Sequence, residues 1–381
     1  MQEQKPQFEA FEFRGDAKEY FKIWIVNIAL TLLTLGIYSA WAKVRTNRYI
    51  YGNTYLSNSN FEYNANPKRI LLGRVIIVLF YGLFLLFGDY LGMYEVAIGL
   101  VILFLLLLPW LIRQAISFKL KSASYRNIPF RYLGSTKAFY LLGVLGILSI
   151  VSLPILIGFL AGHNKEVAAL LGLVASILLF VVIIPALYRR YKALVINNAR
   201  YGNATFYFDA KTKDVVVVFI KMGILTFALT FLLGAVALFA AGIGSTLVDE
   251  IPSSIKESQF PEIAASVIIV VLYLFVAGFY KGINDAYLSN FVRDHTRLED
   301  AKFKGEIDPL KLGVISATNS IALLISLGLL YPWTKLRYLK YKIENSYIAC
   351  SNYDQFTSSG YENLNTIGEE TMDFFDLDIG I

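Results

Sequence analysis

Polar and charged residues that could bind a ligand recur in two matched sets, one near each end of the chain. In each set an asparagine precedes a Leu-Gly step by 8 residues and a tryptophan by 14, and a lysine and an arginine follow the tryptophan. An amide can satisfy a broken helix end, and cations at a membrane rim suit anionic lipid head groups or an anionic solute. The candidate binding or structural residues are Asn27, Gly36, Trp41, Lys43 and Arg45, and Asn319, Gly328, Trp333, Lys335 and Arg337.

The chain offers little else for catalysis or metal binding. Its 2 histidines, His163 and His295, are far apart in sequence, and Cys350 is its only cysteine. No His-Glu-x-x-His, Gly-x-Ser-x-Gly or Walker sequence occurs. We therefore expect no enzyme activity, no metal site and no cofactor.

The composition is typical of an integral membrane protein. Of 381 residues, 56% are hydrophobic and 17% charged, whereas soluble domains average about 45–50% and 25%. These fractions exclude a soluble enzyme, a disordered chain and a disulfide-rich secreted module. The first expected partner is therefore the lipid bilayer. The net charge of +6 does not by itself indicate nucleic-acid binding, and we expect no nucleic-acid partner.

Hydrophobic runs long enough to span a bilayer define the predicted fold. Two further segments, 21–42 and 312–333, are less apolar and match each other, and upstream 13–16 matches 303–306. If both flanks of segments 21–42 and 312–333 are cytoplasmic, neither segment crosses the membrane, and each turns back near its Leu-Gly step. The prediction is an all-α polytopic membrane protein with six transmembrane helices and two re-entrant hairpins, or alternatively eight transmembrane helices. The six spans are 70–87, 96–112, 139–160, 167–187, 215–244 and 263–280; Arg74 and Lys221 lie near span ends and are expected to reach the interface.

Basic loops set the predicted orientation. Four linkers hold 23 of the 35 Lys and Arg residues, and the positive-inside rule places them in the cytoplasm, with both termini. Each linker also carries a short aromatic strand, such as 60–63 or 205–208, which is unstable alone. We predict that these strands pair in a small cytoplasmic sheet, to which residues 8–14 add a strand. The linkers are 43–69, 113–137, 189–213 and 281–311.

Two regions follow from this organisation. Residues 1–350 are predicted to form a single integral membrane domain with internal repeats. Residues 351–381 hold seven Asp and Glu and no Lys or Arg, which predicts a flexible acidic tail. The tail or the linker strands are candidate contacts for a membrane or cytoplasmic protein partner. The oligomeric state is not indicated.

Several short motifs resemble one family. Phe13-Arg-Gly-Asp16, Asn27, the stretch 34–45 with its Leu-Gly-Ile-Tyr and Trp-Ala-Lys-Val-Arg sequences, and Tyr51-Gly-Asn-Thr54 resemble the YjgN family of bacterial inner-membrane proteins of uncharacterised function, over residues 8–350. The resemblance implies the bacterial inner membrane and leaves the activity open. We expect a membrane interaction or assembly protein. The alternative is a transporter or lipid-handling protein for a lipid or small anionic solute.

Overall fold

The chain is built from five successive units, each a strand, two helical segments and a second strand. The computed structural model describes residues 8–162, 164–250, 260–350 and 356. The helices are α1 Ala17–Leu33, α2 Ser39–Gly52, α3 Pro67–Leu85, α4 Tyr94–Lys121, α5 Thr136–Ala161, α6 Lys165–Leu178, α7 Ile184–Ile196, α8 Thr212–Glu250, α9 Phe260–Asp294, α10 Pro309–Ile325 and α11 Tyr331–Glu344, with π-helical turns at Leu86–Tyr90 and Leu179–Ile183.

The strands of all five units join in one antiparallel sheet. The strands are β1 Glu9–Ala10, β2 Glu12–Phe13, β3 Thr54–Leu56, β4 Ser59–Tyr63, β5 Ala123–Tyr125, β6 Ile128–Tyr132, β7 Ala199–Tyr201, β8 Ala204–Phe208, β9 Thr296–Leu298, β10 Ala301–Gly305 and β11 Ser346–Ala349. Their order in the sheet is β1-β11-β10-β9-β8-β7-β6-β5-β4-β3-β2. The two end strands, β1 and β2, are separated in sequence only by Phe11, whose N–H donates to Ser346 O at 3.0 Å. The sheet is therefore a nearly closed barrel.

Tight turns fix the register of the hairpins. The β3–β4 turn has φ of 44° at Ser57 and 60° at Asn58, and the β5–β6 turn has 48° at Arg126 and 60° at Asn127. Positive φ at both central residues matches the twist of two-residue hairpins, and asparagine tolerates this region. Each hairpin thus pairs the strand that follows one helix with the strand that precedes the next helix.

The barrel core follows from strand alternation. In the second to fifth units, the middle residue of the longer strand is a phenylalanine that lines the interior, and in the first unit Phe11, between β1 and β2, does so. Because side chains alternate along a strand, the residues next to each phenylalanine face the other side. Neighbouring rings contact each other, with centroids 6.2 Å apart for Phe206 and Phe303. The interior keeps a cavity of about 450 Å³. The five phenylalanines are Phe11, Phe61, Phe130, Phe206 and Phe303.

This architecture corrects the predicted fold class. The all-α assignment is wrong, because the linker strands form an eleven-stranded sheet rather than a small one; strands of two to five residues gave no local sign of how many would join. The count of six spans and the alternative of eight are also wrong. Within the described residues, five helices are long and apolar enough to cross a membrane: Pro67–Tyr90, Tyr94–Lys121, Thr136–Ala161, Lys165–Ile196 and Thr212–Leu232. The predicted span 263–280 lies on α9, which is not one of these five.

The apolar helices turn most of their surface outward. Only 6–11% of the residues in each spanning window are buried inside the protein. Apolar faces of this extent are not stable in water and indicate contact with lipid. The predicted pairing of the linkers and the strand within residues 8–14 are confirmed by the ladders between β4 and β5, β6 and β7, and β1 and β11.

Segments 21–42 and 312–333 lie in two equivalent helical hairpins, α1 with α2 and α10 with α11. Both turn at the Leu-Gly step: φ is 49° at Leu35 and 92° at Gly36, and 50° at Leu327 and 86° at Gly328. The glycine N–H of each turn donates back to the first helix, at 2.7 Å and 2.8 Å. The two hairpins are offset by 292 residues throughout.

Closure of the barrel predicts a specific cross-link. Ala10 and Tyr347 are opposite each other on β1 and β11, so their Cβ atoms lie about 4.5–5.5 Å apart. Ala10→Cys with Tyr347→Cys, in a Cys350→Ser background, should be joined efficiently by a short thiol-specific cross-linker, as detected by peptide mass spectrometry. Glu12→Cys with Tyr347→Cys is the control, because Glu12 pairs with Tyr55 instead. Equal yields from both pairs would contradict the observed register.

Candidate functional site

A cleft of about 550 Å³ lies beside the first helical hairpin. Asn27 on α1, Lys43 on α2, Arg74 on α3 and Lys335 on α11 all line it. Ile28 and Leu32 line it further along α1. The cleft thus has a cationic part and an apolar part, and it receives side chains from both ends of the chain.

Closure of the barrel brings these two ends together. Because β1 pairs with β11, the first and last units are neighbours, and α11 packs on α1. The rings of Trp24 and Tyr331 stack with centroids 6.0 Å apart and an interplanar angle of 26°. Lys335 Nζ lies 5.9 Å from the centroid of Tyr20 and 5.6 Å from that of Tyr331. The cleft exists only because residues some three hundred positions apart share one wall.

The electrostatics of the cleft favour an anion. Among the described residues that line the cleft, three are cations and none is an aspartate or glutamate. Burial disfavours the ammonium of Lys335, but its neighbours Tyr20 and Tyr331 outweigh burial and raise the pKa above its ordinary value. Lys335 is therefore charged at neutral pH. Arg74 Nη1 donates to Ser39 Oγ, which holds its guanidinium at the cleft wall.

Asn27 contributes a buried acceptor to this cleft. Its side chain is 4% exposed, and Nδ2 donates weakly to Ala42 O at 3.4 Å. Its Oδ1 is buried and accepts no hydrogen bond. A buried carbonyl oxygen left in this state costs about 1–3 kcal/mol. A buried acceptor in this state calls for an explanation, which makes Asn27 a candidate binding position.

The second hairpin satisfies the equivalent asparagine internally. Asn319 Nδ2 donates to Thr334 O at 3.0 Å, and Asn319 Oδ1 accepts from Arg337 Nη1 at 3.1 Å. Arg337 also donates to Thr318 Oγ1 at 2.9 Å and lies 5.1 Å from the centroid of the Trp333 ring. These three predicted site residues, Asn319, Trp333 and Arg337, therefore form a closed structural cluster.

The remaining predicted residues do not enter the cleft. Arg45, the counterpart of Arg337, is exposed on α2 and does not reach Asn27. Trp41 stacks on Tyr38, with centroids 6.3 Å apart, and packs against a small core beneath α2. Gly36 and Gly328 serve the turns. Asn27, Lys43 and Lys335 are the three predicted residues that the structure brings together.

The sequence reasoning missed part of this site. Tyr20, Trp24, Arg74 and Tyr331 also line the cleft. Only Arg74 carried a signal, as a charge within a predicted span. The aromatic residues resembled an ordinary interface belt, since tryptophan and tyrosine are common at membrane boundaries.

The barrel interior is a second, more apolar cavity. Tyr125 and Tyr201 lie on its wall, and their hydroxyls donate to Leu56 O at 2.7 Å and to Tyr125 O at 3.0 Å. Burial raises the pKa of both tyrosines, so they stay protonated as donors. Phe356, 6% exposed, packs edge-on against Tyr201 with centroids 5.6 Å apart. Apart from Phe356, the predicted acidic tail lies outside the described residues.

Metal-binding side chains do not converge in the part of the chain that the structure describes. No group of three or more His, Cys, Asp or Glu there could hold a metal ion. His295 Nδ1 lies 2.8 Å from Phe291 O, and its ring packs on that of Phe291. His163 lies outside the described residues. The contacts of His295 with Phe291 are therefore of the kind that stabilise the fold.

Comparisons with known proteins show the family to which the chain belongs. Residues 8–374 match the family model described as bacterial protein of unknown function (DUF898). The inner membrane protein YjgN of Salmonella typhimurium is 26% identical over 358 residues, covering 88% of this chain and 87% of the relative. YjgN of Escherichia coli K12 is 24% identical over 364 residues, covering 89% and 88%. No solved structure matches. The resemblance to YjgN is thus confirmed, and the chain belongs to the DUF898 family of bacterial proteins.

Proposed function

We propose that this protein resides in the bacterial inner membrane and binds an anionic amphiphile with a phosphate head group in the cleft beside the first hairpin. The observation that carries the proposal is the convergence of Lys43, Arg74 and Lys335 on one cleft without a lining carboxylate. Lysine and arginine bind phosphate by charge-assisted hydrogen bonds, which strengthen as water is excluded.

An amphiphile fits the cleft better than a small soluble anion. Ile28 and Leu32 continue the cleft toward the turn of the hairpin, where Leu32 is 72% exposed and Leu35 95% exposed. An acyl chain can follow this apolar side while the phosphate stays with the cations. Trp24 and Tyr331 suit the boundary between the two.

The proposed orientation follows from charge. The barrel lies on the cytoplasmic side of the membrane, because the linkers that form it hold 23 of the 35 Lys and Arg residues. The cleft then meets the inner leaflet, where anionic lipids attract cations. Lipid handling at this leaflet is the function we assign.

A protein partner recruited through the linker strands has less support. Strand addition needs an exposed sheet edge, whereas the linker strands pair on both sides, for example β8 with β7 and β9. The barrel closes through Phe11, so its two end strands are continuous in the chain.

Lipid titration tests the proposal. Lys43→Ala with Lys335→Ala should weaken binding of phosphatidylglycerol about 100-fold or more, since two charge-assisted hydrogen bonds are lost and each is worth about 1.5–3 kcal/mol. Binding is measured by native mass spectrometry of the detergent-purified full chain. Arg45→Ala with Lys340→Ala is the matched control, because it removes two exposed cations from the same two helices. If both double variants lose the same affinity for phosphatidylglycerol, the effect comes from general surface charge and the proposed binding in the cleft is refuted.

A further inference from the structure

Asn27 differs from its counterpart Asn319 in its hydrogen bonding, and the difference concerns the ligand. In the second hairpin, Arg337 donates to both Thr318 and Asn319. In the first hairpin, the position of Thr318 is occupied by Val26, which offers no acceptor, and Arg45 stays exposed. The equivalent asparagine is thus fully hydrogen-bonded in the second hairpin, whereas Asn27 lines the cleft and its Oδ1 is buried without a hydrogen-bond partner.

From this difference we infer that the head group bound in the cleft is hydroxylated, as in a glycerol phosphodiester, and that its hydroxyl donates to Asn27 Oδ1. The inference rests on the proposed function, because the cations provide the phosphate site. An amide oxygen can only accept, so the ligand must supply a donor beside the phosphate.

The surrounding charge selects the kind of donor. An ammonium head group would place a positive charge among Lys43, Arg74 and Lys335, and like charges at this range repel. A hydroxyl donates without this cost. A phosphodiester ending in a methyl group would bring the charge but leave Asn27 Oδ1 buried and unsatisfied, which sites of this kind reject.

A comparison of three lipids with identical acyl chains tests the inference. Phosphatidylglycerol carries hydroxyls, phosphatidylethanolamine an ammonium, and phosphatidylmethanol neither. We expect the full chain in detergent to bind phosphatidylglycerol about 5- to 10-fold more tightly than phosphatidylmethanol, as one hydrogen bond to a buried acceptor predicts. Phosphatidylethanolamine should bind more weakly than phosphatidylglycerol. Native mass spectrometry gives the three affinities.

Substitution locates the preference. Asn27→Leu should bind phosphatidylglycerol and phosphatidylmethanol equally, and should bind phosphatidylmethanol at least as well as the unaltered chain does. Asn319→Leu, the matched change in the second hairpin, should keep the preference whatever its effect on stability. The lipid comparison on the unaltered chain needs no variant to fold.

The outcomes separate the two claims. If phosphatidylglycerol and phosphatidylmethanol bind equally to the unaltered chain and both depend on Lys43 and Lys335, the inference fails and the phosphate cleft stands; a water molecule then satisfies Asn27. If phosphatidylethanolamine binds most tightly, the donor is an ammonium and the inference fails. If none of the three lipids depends on Lys43 and Lys335, the proposed function fails.

Discussion

Deleting residues 1–13 should remove most or all of the stability of the protein. The deletion takes away β1, β2 and the aromatic residues Phe11 and Phe13, of which Phe13 is 3% exposed. Loss of one buried phenylalanine side chain costs about 3–5 kcal/mol, and a typical margin of stability is about 5–15 kcal/mol. The loss of Phe13, of the partly buried Phe11 and of both end ladders should leave the barrel open.

Cys350 provides the measurement. It follows β11 directly, is half-buried, and packs against the barrel core, so a dye that fluoresces on reaction with thiols reports unfolding of the barrel. The shortened chain should react at once at temperatures where the full chain does not. A chain starting at Phe8, where the family match begins, is the control and should behave as the full chain. Slow reaction in the chain lacking residues 1–13 would show that closure contributes little.

A bulkier residue at Gly282 should have the second-largest effect. Gly282 lies on α9 where it meets α10, and an added Cβ would stand 2.4 Å from Leu312 O and 2.8 Å from Gly313 Cα. Backbone atoms cannot move away as a flexible side chain can. Gly282→Val should therefore destabilise the protein by at least about 3 kcal/mol, the upper end of the range for overpacking.

The same thermal assay at Cys350 measures this change. Gly172→Val is the matched control, because Gly172 also lies within a helix, α6, but an added Cβ there meets no atom within 4 Å. The control should shift the melting temperature little. If Gly282→Val and Gly172→Val give equal shifts, the close approach of α9 and α10 is not limiting.

The sequence predicted the local features of the fold better than its closure. Both Leu-Gly turns and the pairing of the linkers were readable, since turn residues and strand alternation are local. The match of 13–16 to 303–306 was wrong by two residues: the helix caps Asp16 and Asp308 and the phenylalanines Phe11 and Phe303 set an offset of 292. A slip of two preserves the inward face of a strand, so the pattern alone does not reveal it.

The candidate site was only partly predictable for a related reason. The two residue sets look equivalent in sequence, and the arginines at positions 45 and 337 are identical in type. The arginines behave differently because of the neighbouring helix: Thr318 on α10 accepts a hydrogen bond from Arg337, whereas the equivalent residue on α1 is Val26, which cannot accept one. The cleft itself depends on α11 reaching α1, which follows from barrel closure and not from any local pattern.

The ring closure also sets an order of events during synthesis. Ala10 and Tyr347 are 337 positions apart, and at about 5–20 residues per second the first strand waits roughly 20 to 70 seconds for its partner to be translated. Until then the nascent sheet has two open edges, and Phe11 and Phe13 have not yet gained their final cover. A chain released early by a premature stop never closes the ring. Its exposed sheet edges would make it a substrate for proteases. A fully translated chain closes the ring and therefore resists degradation better than a truncated one.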